Sequence, residues 1–251
     1  MKEKIYTIPV NEAYDKDCEC PLCELEKQQE KEAVRYALGA AMMEPDYRME
    51  SNEKGYCNRH FARMFEAPNK LPLALVLDTH LIELRKKLEK MEKTAKALEK
   101  EKTGLFKKSG VDKAVSEIDE IFGKTECSCM VCEKVNRSMA KFVDVLIYLW
   151  ATESDFREKF DKSKGVCLKH FKMLVDCSKK SVKDDNAAKF IGALINKEIN
   201  ELNRIQEDIH RFTLKFDYRN RDMEWETAKD APIRTIEKIA GYIINDYEEE
   251  T

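Results

Sequence analysis

The pattern Cys-x-Cys-x-x-Cys occurs twice in this chain, at Cys18, Cys20 and Cys23 and again, 109 positions later, at Cys127, Cys129 and Cys132. Each copy is followed by Gly-x-Cys-x-x-His-Phe, at Gly55–Phe61 and, 110 positions later, at Gly165–Phe171. Between the two motifs Glu44, Asp46 and Arg48 match Glu153, Asp155 and Arg157, again at an offset of 109, so one residue is inserted before the second glycine. Eight of the nine cysteines belong to this scheme. A fixed spacing kept across separate motifs is the signature of an internal duplication.

The residue types point to metal. Two cysteines separated by two residues present two thiolates from one tight turn, and backbone N–H groups there stabilise the anions. Cysteine and histidine three apart on a helix return to nearly the same face. Within each repeat these pairs make a Cys3His set, Cys20, Cys23, Cys57 and His60 in the first and Cys129, Cys132, Cys167 and His170 in the second. Cys3His is a normal tetrahedral zinc shell, and two zinc ions per chain are expected. In each repeat 33 or 34 residues separate the two pairs, which suits a site pinning the start of one helix to the start of another. Cys18 and Cys127 then exceed the four ligands zinc takes. Each is an extra or exchangeable ligand, or a reactive thiol. The alternative is an iron–sulfur cluster on the four cysteines of each repeat.

Glycine (8) and proline (6) are scarce and 37% of the 251 residues are charged, a balance that favours long solvated helices. Apolar residues recur at helical spacing from Leu22 to about Met43 and from Val131 to about Trp150, where Phe142, Val145, Leu146, Leu149 and Trp150 share a stripe. Two longer stripes follow, Leu77, Leu81, Leu84, Leu88, Met91, Ala95 and Leu98, then Ile195, Ile199, Leu202, Ile205, Ile209, Phe212 and Phe216. Spacings of four and three ask for a neighbouring helix, read here as core packing within one chain, with a helix-mediated homodimer as the other option. Residues 103–110 read as a break, Val111 to Phe122 as a short helix, and the last helix runs to about Tyr247 ahead of an exposed acidic tail. The expected fold is all-α and duplicated: a lead segment over 1–17, a first metal-binding unit over 18–124, and a second over 125–251 that ends in a strap and a helix, the units packed as one globule.

Other polar residues are candidates of lower specificity. Asp46 and Asp155 are expected to cap short helices, with Arg48 and Arg157 paired to nearby acids. The functional alternative is a polar pocket of Glu44, Asp46 and Arg48, Glu153, Asp155 and Arg157, joined by Asp217, Arg219 and Trp225 of the strap KFDYRNRDMEWETAKDAPIR. That strap lines a ligand site or closes the bundle. Cys177 is expected to be a small core residue, and His80 and His210 surface or satisfied helix residues rather than ligands. No phosphate-cradling loop, nucleotide fingerprint or nucleophile motif is present, so no catalytic residue is assigned and the reading leans away from an enzyme. The net charge of −3, with both signs interleaved, argues against nucleic acid. Without an apolar leader or a long apolar run, a cytoplasmic protein with no membrane contact is expected, and its thiols are for metal rather than disulfides.

The motifs CPLC, MEPDYR and GYCNRHF, with KFDYRN, the later Trp225 and KDAPIR, resemble a bacterial family of uncharacterised helical proteins catalogued as a domain of unknown function. The resemblance covers nearly the whole chain. It implies a shared helical fold and no established activity. Met130 and Ser154 stand where the first repeat has Pro21 and Pro45, which implies a less rigid second knuckle.

Overall fold

The computed structural model describes residues 4–99, 105–220 and 222–242, the side chain of Cys127 lying outside this description. Among them there is no strand; eleven α-helices and three short 3-10 turns follow one another. They are α1 (Thr7–Tyr14), α2 (Pro21–Leu38), α3 (Pro45–Lys54), α4 (Asn58–Glu66), α5 (Leu71–Glu99), α6 (Leu105–Cys127), α7 (Met130–Thr152), α8 (Ser154–Lys162), α9 (Leu168–Ser181), α10 (Asp184–Leu214) and α11 (Ala231–Ala240). The fold is all-α, as the sequence implies. None of the described helices is long and apolar enough to cross a membrane.

The helices group into two compact units that are not the two sequence repeats. A split unit takes Met1–Gln29 and Arg137–Thr251, and a central unit takes Glu30–Asn136. The boundaries fall inside α2 and α7, whereas the expected boundary near Lys124 lies within α6. The expected break over 103–110 is also displaced. From Leu105 onward the chain is already helical, and Val111–Phe122 is the middle of α6 rather than a separate helix. Residues 103 and 104, and the expected end of the last helix at Tyr247, lie outside the described residues.

The core of the split unit forms where α7 meets α8 and α10. Phe142, Val145, Leu146 and Leu149 are buried as the stripe predicts, but so are Val143 and Ile147, so this segment is covered on more than one face. Phe156 and Phe160 of α8 are buried beside them. Tyr14 meets Phe156 with ring centroids 5.1 Å apart, and Trp150 meets Phe190 at 5.2 Å, both tilted so that ring edges approach faces. In the central unit α3, α5 and α6 pack together around smaller residues, with Leu73, Val76 and Met64 buried.

The two long stripes do not pack as core over most of their length, although Ile205 of the second is buried. Leu77, Leu81 and Leu88 of α5 are 37%, 61% and 51% exposed, and Ile195, Ile199 and Leu202 of α10 also face solvent. Each helix buries the register one residue earlier, Val76 and His80 on α5, Leu194 and Glu198 on α10. Those inner registers carry polar residues, so apolar pattern alone does not mark them.

Phe160 sits at the centre of the aromatic cluster, 1% exposed. Phe160→Ala is expected to cost about 3 to 5 kcal/mol of unfolding free energy. The midpoint of denaturant unfolding at unchanged slope measures it.

Candidate metal centres

Four pairs of ligand-type residues occupy one local structure. Cys20 and Cys129 stand immediately before α2 and α7, and Cys23 and Cys132 are the third residues of those helices. Cys57 and Cys167 are the N-caps of α4 and α9, with nearly identical extended backbones (φ −72°, ψ 163° and φ −73°, ψ 162°). His60 and His170 are the third residues of α4 and α9. Each pair therefore straddles a helix start, where free N–H groups and the positive end of the helix dipole favour thiolates. Pro21 at the first position of α2 brings the φ that position needs.

The pairs combine across the repeats. Cys20 and Cys23 meet Cys167 and His170 in the split unit, and Cys57 and His60 meet Cys129 and Cys132 in the central unit. All eight residues expected as ligands fall in these two groups, but the grouping within each repeat is replaced by this crosswise one. Helix length explains it. From the Cys20–Cys23 turn, α2 carries the chain about 27 Å, and the returning α3 covers only about 15 Å. In the second repeat α7 spans about 35 Å and α8 about 14 Å. In each repeat the two pairs are therefore separated along the chain by a helix longer than the one that follows it.

Within each group the ligand atoms all lie within 4.8 Å of one another. In the split unit His170 Nδ1 is 3.4 Å from Cys20 Sγ, 3.5 Å from Cys23 Sγ and 3.3 Å from Cys167 Sγ, and the Cys23 and Cys167 sulfurs are 3.6 Å apart. In the central unit His60 Nδ1 is 3.1 Å from Cys57 Sγ, 3.2 Å from Cys129 Sγ and 3.4 Å from Cys132 Sγ, with 3.9 Å between the Cys57 and Cys132 sulfurs. A regular tetrahedron with zinc–sulfur and zinc–nitrogen bonds of about 2.3 and 2.05 Å has edges of about 3.8 Å between sulfurs and about 3.6 Å from sulfur to nitrogen. The donor set and its spacing fit one ion in each group.

Without a cation the groups are electrostatically crowded. The Cys167 thiol is pulled far below the usual thiol range, first by hydrogen bonds from Cys20 and Cys23, while burial holds Cys20 up and the bond to Cys167 holds Cys23 up. In the central unit Cys129 is pulled down, first by Cys132, which is itself pushed up by Cys129. Burial opposes protonation of His60, but contacts to Cys129 and Glu30 outweigh it and bring the imidazole to about 9. Cys167 and Cys129 thus favour the thiolate at the expense of Cys23 and Cys132, a competition a divalent ion would relieve.

Carboxylates stand behind both histidines. Glu30, 2% exposed, lies 2.8 Å from His60 Nε2 and pairs with Arg59 and Arg63. Glu26 lies 3.4 Å from His170 Nε2 and pairs with Lys169. On His60 the carboxylate at the far nitrogen fixes the ring so that Nδ1 faces the sulfurs, whereas His170 Nε2 is buried without a hydrogen bond and has Glu26 only as a nearby charge. Sequence reasoning missed both acids. Their signal is that they interrupt the buried stripe Leu22, Glu26, Glu30, Ala33, Ala37 of α2.

The turns ahead of the Cys-x-x-His pairs are also held. Gly55 and Gly165 adopt φ +68° and +73°, and a Cβ at Gly55 would stand 2.9 Å from His80 Cε1, one at Gly165 against the Glu198 carboxylate. His80 Nδ1 lies 2.9 Å from the Asn52 carbonyl, a satisfied helix histidine as expected. Glu198 accepts the Val166 N–H at 2.6 Å and pairs with Lys238 at 3.0 Å, and Lys238 Nζ donates to the Lys164 carbonyl at 2.6 Å. Lys238 is fully buried and Glu198 nearly so, and neither was anticipated.

The remaining sequence candidates are placed elsewhere. Cys18 stands outside the four-ligand group; burial and then Glu24 raise its thiol to about 11, while the Cys20 N–H bonds its sulfur. The Cys127 side chain lies outside the described residues. Cys177 is half-buried rather than core, and His210 is exposed. Asp46 and Asp155 sit in the first turns of α3 and α8, where the N-caps are Glu44 and Glu153, so the capping expectation is displaced by two residues. Among the described residues Arg48 and Arg157 make no ion pair, and Glu44, Asp46, Glu153, Asp155 and Arg157 face solvent. Asp217 and Arg219 pair with each other, and Trp225 packs on Phe212 and Phe216. An open cleft of about 1100 Å³ lies by the strap, lined by residues such as Lys164, Arg204, Asp208, Glu226 and Arg234 rather than by the predicted three.

The comparisons with known proteins follow the same helical, Cys/His-bearing chain. The model of a family of unknown function, DUF6062, matches residues 1–246. The chain belongs to that family. No curated protein and no solved structure matches it.

Two substitutions test the supporting residues. Glu30→Ala is expected to weaken one of two bound ions by about 10- to 100-fold in a chelator competition, leaving the other unchanged. Lys238→Met leaves Glu198 buried without its cation and is expected to cost about 3 to 5 kcal/mol in denaturant unfolding, with part recovered by adding Glu198→Gln.

Proposed function

We propose that this protein binds two zinc ions, one per Cys3His group, and that the ions hold a helical scaffold in shape for binding another protein or a small ligand. The observation that carries the zinc reading is the arrangement of three sulfurs and one imidazole nitrogen at tetrahedral spacing in each unit. An iron–sulfur cluster interposes several irons and sulfides between its cysteines. Ligands of different irons would stand further apart than the 4.8 Å that spans all four ligand atoms of each group, which favours a single ion. Four protein donors per ion also leave no open position for substrate water, which favours a structural over a catalytic ion.

The binding role rests on surface left by the fold. Apolar residues face outward at helical spacing on α5 (Leu77, Leu81, Leu88) and on α10 (Ile195, Ile199, Leu202), surface of the kind that binding partners cover. Cytoplasmic residence accords with the eight described cysteines, all free of disulfides, a state that a reducing compartment maintains.

Anaerobic purification followed by metal and sulfide analysis tests the reading. The expected result is about two zinc per chain, no acid-labile sulfide and no visible absorption. Cys23→Ser is expected to lose one zinc and to lower the unfolding temperature. A folded, metal-free wild-type protein would sink the proposal.

A further inference from the structure

We infer that the two ions are not equivalent: the ion of the central unit is exchangeable, open to metal-binding thiols and chelators, while the ion of the split unit is sealed. This rests on the zinc reading above and adds to it a division of labour between the sites.

The donor sets are the same, so donor chemistry does not separate the sites. Access does. In the split unit Cys20, Cys23, Cys167 and His170 are all buried, none more than 5% exposed. In the central unit His60 and Cys129 are buried, but Cys57 and Cys132 are partly exposed. These two sulfurs are neighbours, 3.9 Å apart, so they form one accessible edge of the tetrahedron. Zinc accepts a fifth ligand transiently, and an incoming donor needs such an edge.

The split unit has a cover over the corresponding sulfurs. At the end of α11 the chain turns through Gly241, at φ +92°, where a Cβ would stand 3.7 Å from Cys23 Sγ and 3.8 Å from Cys167 Sγ. The Tyr242 N–H then bonds Cys23. The cover is anchored by Lys238 one turn earlier, through Glu198 and the Lys164 carbonyl. The strap and α11 belong to the second repeat alone, so the duplication supplies this cover once. The ligand class implied at the central unit is a soft divalent ion in exchange with small thiols or another metal-binding protein.

The test uses the zinc-loaded wild-type chain and an excess of the chromogenic chelator pyridylazoresorcinol. Zinc is expected to leave in two phases of one equivalent each, separated by at least about tenfold in rate, which corresponds to about 1.4 kcal/mol of barrier. In parallel, N-ethylmaleimide labelling mapped by peptide mass should reach Cys57 and Cys132 during the fast phase, before Cys20, Cys23 and Cys167. Cys132→Ser should retain only the slow equivalent. The labelling order is read on the unaltered chain, so a variant that fails to fold does not remove the test. Two equivalents leaving together, or a fast phase accompanied by labelling of Cys20, Cys23 or Cys167, overturn the inference alone. Iron with acid-labile sulfide in place of zinc overturns the zinc reading and this inference with it.

Discussion

Everything in this fold turns on bringing three thiolates and an imidazole to one point, where they repel unless a cation joins them. The chain solves this with one device used four times: a cysteine just before a helix and a second ligand on its third residue. Two such helix starts face each other in each unit. Their dipoles offset part of the thiolate charge, and a divalent ion with three thiolates keeps a net charge of only about −1. The positions of α2 and α9, and of α4 and α7, follow from that meeting.

The residues around the sites extend the same electrostatic logic. Glu30 orients His60, and the buried charges of Glu30 and Glu26 are balanced by Arg59, Arg63 and Lys169. Glu198 would be costly to bury alone, since burial pushes its carboxyl up, but Lys238 opposes that and the Val166 N–H bonds it. Such a pair contributes little net stability compared with apolar packing. Its structural effect is to hold residues 164–166 in the turn that presents Cys167.

Much of this was legible in the sequence. The duplicated Cys and His spacing marks all eight ligands, and helical periodicity marks the class of fold, because both depend on local geometry. The pairing was not legible, because it depends on how far α2 and α7 carry the chain before α3 and α8 turn it back. The inner faces of α5 and α10 were misplaced by one residue for another reason. Their apolar stripes, led by Leu81 and Ile199, are stronger than the buried registers, which are interrupted by His80 and Glu198. Those polar residues are inside because they support Gly55 and Gly165, a requirement set by the sites rather than by hydrophobicity. Glu26 and Glu30 escaped notice in the same way, although acids within a buried stripe are a signal once metal is suspected.

Crosswise pairing also changes what an ion bound in each group would contribute. A bridge from Cys23 to Cys167 joins residues 144 apart, and one from Cys57 to Cys132 joins residues 75 apart. Pairing within a repeat would have closed loops of 33 or 34 residues. Loop-closure entropy grows only logarithmically, about 0.6 kcal/mol for each doubling. The longer bridge therefore gains about 0.6 kcal/mol over the shorter, and roughly 1.3 kcal/mol over a bridge within one repeat. These differences are too small to set the two sites apart. What distinguishes them is enclosure, since burying two more sulfurs under Gly241 and Tyr242 changes the path by which a competing donor reaches the ion. Chain topology thus decides which residues meet, and the cover that follows α11 decides how firmly each meeting is kept.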